Sequence, residues 1–181
     1  MIYIFLADGF EETEAIAPID MLRRAGVDVV TVGIKNDAVK SSHGVPFLCD
    51  ITDMQVELDD RLEMIILPGG MPGTLNLEES TVVNKALEYA YDNNLLIGAI
   101  CAAPSILGHK GYLKDKSATC YPGFEDSFDG GKCTGEAVCE CSNIITGKGA
   151  GVAIEFGLAL LKYLKGEETM KKVYDSIQCQ N

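Results

Sequence analysis

The sequence predicts an α/β protein with a mostly parallel sheet and helices on both faces. Short apolar runs alternate with amphipathic segments along the whole of the 181 residues. Residues 2–7, 63–67 and 95–100 are nearly continuous in apolar side chains, as in strands covered on both sides. Each run stops abruptly, at Gly9, at Pro68-Gly69-Gly70 and at Cys101. Such a βαβα order gives parallel strands joined by right-handed crossovers.

The elements follow in order. Residues 2–7 are the first strand, broken by Gly9. Residues 11–25 are the first helix, with Ile16, Ile19, Met21 and Leu22 as buried candidates. Acids crowd its start and Arg23 and Arg24 its end, which suits the helix dipole, and Gly26 is a natural stop. Pro18 is expected to kink or restart it. Residues 27–34 alternate and are β-branched, hence a second strand. Residues 40–49 fit a small hairpin, and 63–67 form a strand of parallel type. Residues 77–91 read as one amphipathic helix, with Leu77, Val82, Val83, Ala86, Leu87 and Ala90 at helical spacing. The strand at 95–100 leads into a helix that begins at 103–108. Residues 117–121 are a short strand, 137–146 alternate as part of a β-ribbon, and 147–151 are a Gly-rich bend. Residues 152–164 are a strong helix. After Gly166 a polar final helix keeps one apolar stripe of Met170, Val173 and Ile177.

Composition bounds the function. The length suits one domain over residues 1–181, and 47% hydrophobic with 23% charged residues is globular rather than disordered. Fifteen basic against 27 acidic residues give a net charge of −12, so neither nucleic acid nor anionic lipid is expected as a partner. No apolar run approaches the ~18 residues of a transmembrane helix. The opening MIYIFLADGFEE lacks a basic stretch and reads as a buried strand rather than a signal peptide. The seven cysteines are an odd number, which favours free thiols in a reducing, cytoplasmic setting. The P-loop pattern and a G-x-G-x-x-G after the first strand are both missing, so no nucleotide cofactor is expected.

Ligands of open parallel sheets bind beyond the carboxyl ends of the strands. Cys101 stands there, between a strand and a helix, with Ala99 and Ala103 two residues to either side. A nucleophile on a sharp strand-to-helix turn needs such small neighbours. The following helix is expected to favour the thiolate, since helix termini bring cysteine pKa values from about 8.5 to ~3.5–7.5. The plain alternative is a buried structural cysteine. Gly69-Gly70 lets backbone amides face a pocket, as an oxyanion hole requires, or else makes a simple turn. Of Glu11, Glu12 and Glu14, most of the charge suits the helix start, and one carboxyl is free to turn inward beside the thiol. Spacing does not choose which. His43 falls in the hairpin and His109 at the end of a short helix, where a surface or capping role suffices. Cys133, Cys139 and Cys141 lack paired C-x-x-C spacing and are expected to be structural thiols, with no metal site.

Four segments together resemble the DJ-1/PfpI (ThiJ) superfamily, in its DJ-1-like deglycase/glyoxalase branch. They are ADGFEETEAIAPIDMLRRAG (7–26), ILPGGMPGTLNL (66–77), AICAAPSIL (99–107) and GKGAGVAIEFGLAL (147–160). The resemblance implies a flavodoxin-like three-layer sandwich with a nucleophile elbow, usually as a homodimer. It implies Cys101 as the nucleophile and Glu14 as the protonated carboxyl that hydrogen-bonds it. Gly69 and Gly70 match the backbone oxyanion site, with the amide of Ala102 as second donor, and Arg24 matches an arginine near the subunit interface.

The branch's implied chemistry is cofactor-independent. Methylglyoxal or glyoxal becomes a hydroxy acid, or an early glycation adduct is repaired, through a hemithioacetal on Cys101 with Glu14 as proton shuttle. The alternative is an oxidative-stress sensor or chaperone-like protein whose Cys101 is oxidised to sulfinate. Two positions depart from the branch's pattern. Tyr121 stands where its members carry a histidine, and His43 where a pocket-rim arginine is usual. Either is expected to touch substrate, but tyrosine, with a pKa near 10, is no neutral-pH base. The protease-like members carry histidine directly after the cysteine; Ala102 there argues against peptidase activity.

Overall fold

The structure, a computed structural model, describes residues 1–179. Strand β1 (Ile2–Leu6) is followed by α1 (Glu12–Arg24), β2 (Val29–Gly33), the hairpin β3 (Ala38–Lys40) and β4 (Pro46–Leu48), and β5 (Ile51–Thr52). Then come β6 (Met64–Leu67), α2 (Gly73–Glu79), α3 (Thr81–Asp92), β7 (Leu96–Ile100) and α4 (Pro104–His109). Two short strands, β8 (Ser117–Ala118) and β9 (Lys132–Cys133), precede β10 (Val138–Cys141), β11 (Ile144–Gly147) and α5 (Ala153–Ser176). Seven strands form one sheet in the order β10-β11-β7-β6-β1-β2-β5. Every neighbouring pair in it is parallel except β10 with β11.

Successive side chains of a strand point to opposite faces. In β1, Ile2, Ile4 and Leu6 enter one core while Tyr3, Phe5 and then Ala7 enter the other. In β6, Met64 and Ile66 divide from Ile65 and Leu67 in the same way. The first core is closed by α1 and α5, through Ile19, Leu22, Phe156 and Leu160. The second is closed by α2, α3 and α4, through Leu77, Val83, Leu87 and Ile106. The result is the flavodoxin-like three-layer sandwich that the sequence predicts. No described helix is long and apolar enough to cross a membrane.

Several local expectations are corrected. Residues 77–91 form two helices, because Ser80 adopts extended backbone and its hydroxyl caps α3 by accepting from the Val83 amide at 3.4 Å. Leu77 and Val83 are both buried, so apolar spacing carries across a break it does not reveal. The short strand at 117–121 shrinks to Ser117–Ala118. The ribbon at 137–146 does pair β10 with β11, but β11 also lies parallel to β7 and so belongs to the main sheet. The final two helices stand as expected on either side of Gly166, whose non-helical backbone, with φ of 80°, divides the span labelled α5.

Pro18 leaves α1 unbroken. Only one backbone hydrogen bond is forgone there, and packing on α5 holds the axis. The helices approach so closely that a Cβ on Gly157 would lie 2.9 Å from Cα of Pro18. Gly157→Val is therefore expected to destabilise the fold by about 1–3 kcal/mol through overpacking. Urea denaturation should show this, while Gly151→Ala, with nothing within 4 Å of the added carbon, stays near the parent midpoint.

Candidate active site

The carboxyl ends of β1, β6, β7 and β11 lie side by side in the sheet, and the turn after each contributes to one site. Cys101 follows β7 with φ of 65°, in the left-handed region that costs a non-glycine residue about 1–3 kcal/mol. Two main-chain bonds hold it there. Its amide donates to the Gly147 carbonyl at 2.9 Å, and its carbonyl accepts from the Tyr121 amide at 2.8 Å. Ala99 and Ala103 are fully buried on either side.

The three acids after β1 meet three fates. Glu11 caps α1, its carboxylate accepting from the Glu14 amide at 2.7 Å. Glu12 is partly buried and lies 3.1 Å from Nδ1 of His43. Glu14, one turn further in, is directed inward and is 1% exposed. Its carboxyl accepts from the Gly69 amide at 2.9 Å and from the Ala150 amide, and it hydrogen-bonds the Cys101 thiol. Gly69 has no room for a side chain: a Cβ would sit 2.7 Å from both Cβ of Cys101 and Oε2 of Glu14. The amides of Gly70, at φ of 90°, and of Ala102 are directed at the Cys101 sulfur.

Electrostatics corrects one expectation. Burial pushes the Cys101 thiol up to about 12, and the Glu14 charge and hydrogen bond add to that. The Ala102 and Gly70 amides pull the other way without winning. The helix expected to favour the thiolate is α4, only six residues long and starting three residues beyond the sulfur. Burial also pushes Glu14 up to about 7, with Glu11 adding to it, against the hydrogen bonds from Cys101, Gly69 and Ala150. The two acids thus share one site that readily holds a single negative charge.

The other candidate residues lie around this pair or away from it. Gly69 spends its amide on Glu14, which leaves Gly70 and Ala102 as the donors facing the sulfur. Tyr121 is tied to Cys101 through its backbone, and its half-exposed ring lies against Gly149. It lines a cavity of about 340 Å³ with Pro122, Lys148, Ala150 and Val152. The cavity's link to the acid pair runs through Ala150, whose amide reaches Glu14, and Tyr121, whose amide binds the Cys101 carbonyl. His43 is exposed beside Glu12 and Ser42, with no hydrogen bond to Cys101 or Glu14. His109 is paired with Glu78 at 2.6 Å. Arg24 is exposed and bound to Asp20 at 2.8 Å.

Among the described residues, the metal-type ligands within 4.8 Å of one another are Glu11, Glu12 and His43, and no group of cysteines qualifies. Glu11 is already engaged as a helix cap and Glu12 by His43. Sequence reasoning missed the Ala150 amide and the Gly147 carbonyl. Their signal was the Gly-rich bend at 147–151, which ends a parallel strand once β11 is placed beside β7.

A sequence profile of the DJ-1/PfpI family matches residues 1–163. The chain belongs to this family. It is 36% identical to Protein dj-1beta of Drosophila melanogaster over 94% of its length and 92% of that protein's. It is 34% identical to a Caenorhabditis elegans protein named glutathione-independent glyoxalase DJR-1.2, over 87% of this chain and 84% of the other. The crystal structure of Drosophila melanogaster DJ-1beta superposes with a TM-score of 0.93 at 34% identity, covering 99% of this chain and 98% of that one. A structure of Toxoplasma gondii DJ-1, described as oxidized, superposes with a TM-score of 0.91 at 34% identity over 97% and 96%. This DJ-1/PfpI chain carries its cysteine and glutamate in direct contact.

The raised carboxyl makes a prediction about stability. The folded chain holds the Glu14 proton more tightly than the unfolded chain, whose carboxyl titrates near 4.5. Its contribution to stability is therefore fully present below 4.5 and lost as pH rises to about 7. Glu14→Gln lacks that loss. Urea denaturation across this window should show the parent losing about 3 kcal/mol relative to the variant; parallel curves would contradict a buried carboxyl.

Proposed function

We propose that this DJ-1/PfpI protein is a cofactor-independent cysteine enzyme acting on small dicarbonyls such as methylglyoxal and glyoxal, with early glycation adducts as related substrates. The observation that carries this reading is the contact of Cys101 with Glu14, with the Gly70 and Ala102 amides directed at the same sulfur. The glyoxalase name of a relative at 34% identity supports it.

The steps follow from the geometry. The Glu14 carboxylate takes the thiol proton as the sulfur attacks the aldehyde carbon. The oxygen that gains charge lies against the Gly70 and Ala102 amides, a type of donor commonly worth ~2.7–4 kcal/mol. Return of the proton to that oxygen gives a hemithioacetal. Glu14, ionised again, removes the hydrogen from the former aldehyde carbon to give an enediol and delivers it to the neighbouring carbon, while the hydroxyl proton of the hemithioacetal passes to that carbon's oxygen. The product is a thioester of a 2-hydroxy acid. Water cleaves it, releasing lactate from methylglyoxal and restoring the thiol. Tyr121, on the cavity wall, hydrogen-bonds a substrate oxygen, and His43 stays at the solvent rim. Ala102 in place of histidine keeps the site from peptidase chemistry.

The pH dependence follows from Glu14 as base. Turnover of methylglyoxal and alkylation of Cys101 should both rise as pH is raised through about 7, where the carboxyl ionises. Cys101→Ser and Glu14→Gln should each lower turnover by about 10²-fold or more, and the inflection near 7 should vanish in Glu14→Gln. Parent-like rates in both variants would exclude the mechanism.

A second reading is an oxidation sensor, supported by the half-buried sulfur beside a protonatable carboxyl and by the oxidized relative from Toxoplasma gondii. A protonated Glu14 would donate to a sulfinate on Cys101. Mild peroxide that adds two oxygens at Cys101, in a protein without dicarbonyl turnover, would favour it.

The enzyme is proposed to act as a homodimer. The inward face of α1 packs on its own sheet through Ala15, Ile19 and Leu22, but Ile16 and Ile154 are left exposed. They edge an apolar groove of about 480 Å³ with Ala17 and Met21, one turn from Arg24. A two-fold contact there is self-complementary. Light scattering at micromolar concentration should give twice the chain mass for the parent and the single mass for Ile16→Asp.

A further inference from the structure

A pair of thiols, apart from Cys101, begins at Cys120, next to Tyr121 in the chain. Strands β8 and β9 pair in parallel with Ala118 opposite Cys133. Residues two apart on a strand share a face, and Cys120, two residues on from Ala118, meets Cys133 in side-chain hydrogen-bonding contact. Both side chains pack on the same apolar cluster, and both cysteines are free thiols. The register is fixed on each side. Lys132 donates its amide to the Lys116 carbonyl at 2.9 Å, Thr134 donates its amide to the Ala118 carbonyl at 2.8 Å, and the Thr119 hydroxyl donates to the Glu136 carbonyl at 2.8 Å. A disulfide needs Cα atoms within roughly 7 Å. The strand pairing brings the two thiols near enough to interact, and residues 119–123 form neither helix nor strand.

We propose that Cys120 and Cys133 are a reversible dithiol–disulfide site, distinct from Cys101, whose oxidant is a small-molecule disulfide. Cys133 is half-buried and Cys120 is 2% exposed, so reagent meets Cys133 first. The Cys133 thiolate attacks one sulfur of the oxidant and expels the other as a thiolate. Cys120 then attacks the Cys133 sulfur and expels the second thiolate. One disulfide is reduced to two thiols, one disulfide forms in the protein, and the two cysteine protons pass to the leaving groups. Burial pushes Cys120 up to about 12, with Cys133 adding to it, so closure is the slow step and speeds up with pH. Cys120 directly precedes Tyr121, whose amide holds the Cys101 carbonyl. The crosslink therefore anchors the segment that forms one wall of the catalytic cavity.

The test uses the full chain with Cys101 changed to serine, so its outcome is independent of dicarbonyl turnover. Incubation with glutathione disulfide at mildly alkaline pH should remove two hydrogens from the intact mass. Non-reducing peptide mapping should give a Cys120–Cys133 linked fragment that dithiothreitol releases. Cys133→Ala should lose this fragment and leave Cys120 open to alkylation after unfolding. A glutathione adduct persisting on Cys133, a crosslink from Cys133 to Cys139 or Cys141, or no reaction at either thiol would overturn the proposal. The mass change and the linked fragment are read in the Cys101→Ser chain and stand even if the added Cys133→Ala change prevents folding.

Discussion

The contact between the Glu14 carboxyl and the Cys101 sulfur is the interaction around which the site is arranged. Two acids buried together accept one negative charge far more readily than two: the Glu14 charge raises the thiol's affinity for its proton, while the thiol's hydrogen bond lowers that of the carboxyl. Burial alone would leave both neutral and inert. The Gly69 and Ala150 amides at the carboxyl, and the Gly70 and Ala102 amides at the sulfur, supply fixed partial positive charge without adding another titratable group. A site of this kind moves a proton between two partners near neutral pH and offers the same amides to any oxygen that gains charge beside the sulfur.

Holding that contact needs four chain turns at one edge of one sheet. Parallel strands bring this about, because their carboxyl ends all emerge on the same side. The adjacent order β11-β7-β6-β1 places the Gly-rich bend, the elbow, the double glycine and the start of α1 next to one another. The left-handed backbone of Cys101 is tolerated because Gly147 and Tyr121 bind it from two directions. Cores on both faces of the sheet fix the strands that carry those turns.

The residues around the pair limit which group moves the proton. His43 is held by Glu12 and His109 by Glu78, both away from the sulfur. Tyr121 reaches the cavity as a phenol rather than an imidazole. On the proposed reading that leaves Glu14 as the base beside Cys101, and the pH dependence then follows the titration of one carboxyl. The same segment carries Cys120 beside Cys133, the pair proposed above as a second thiol site apart from Cys101.

Much of this was legible in the residues themselves. Continuous apolar runs two to a face identify buried parallel strands, and abrupt stops at Gly9, Gly69-Gly70 and Cys101 identify where their carboxyl ends turn. Local patterning determines these features because burial on both faces and tight turns each restrict residue type. Three features were decided only by tertiary structure. Spacing does not say which of Glu11, Glu12 and Glu14 turns inward; the resemblance pointed to Glu14, and the fold shows the reason, with Glu11 spent on the local cap, Glu12 drawn to His43 from the hairpin, and the Gly69 amide meeting Glu14. The bend after β11 joined the site only when β11 paired with β7. The charge state of Cys101 depends on how much water and how many donors surround it, a sum over neighbours from four turns. A short helix following in sequence gave the wrong sign, because desolvation and a facing carboxyl, neither of them local, outweigh it.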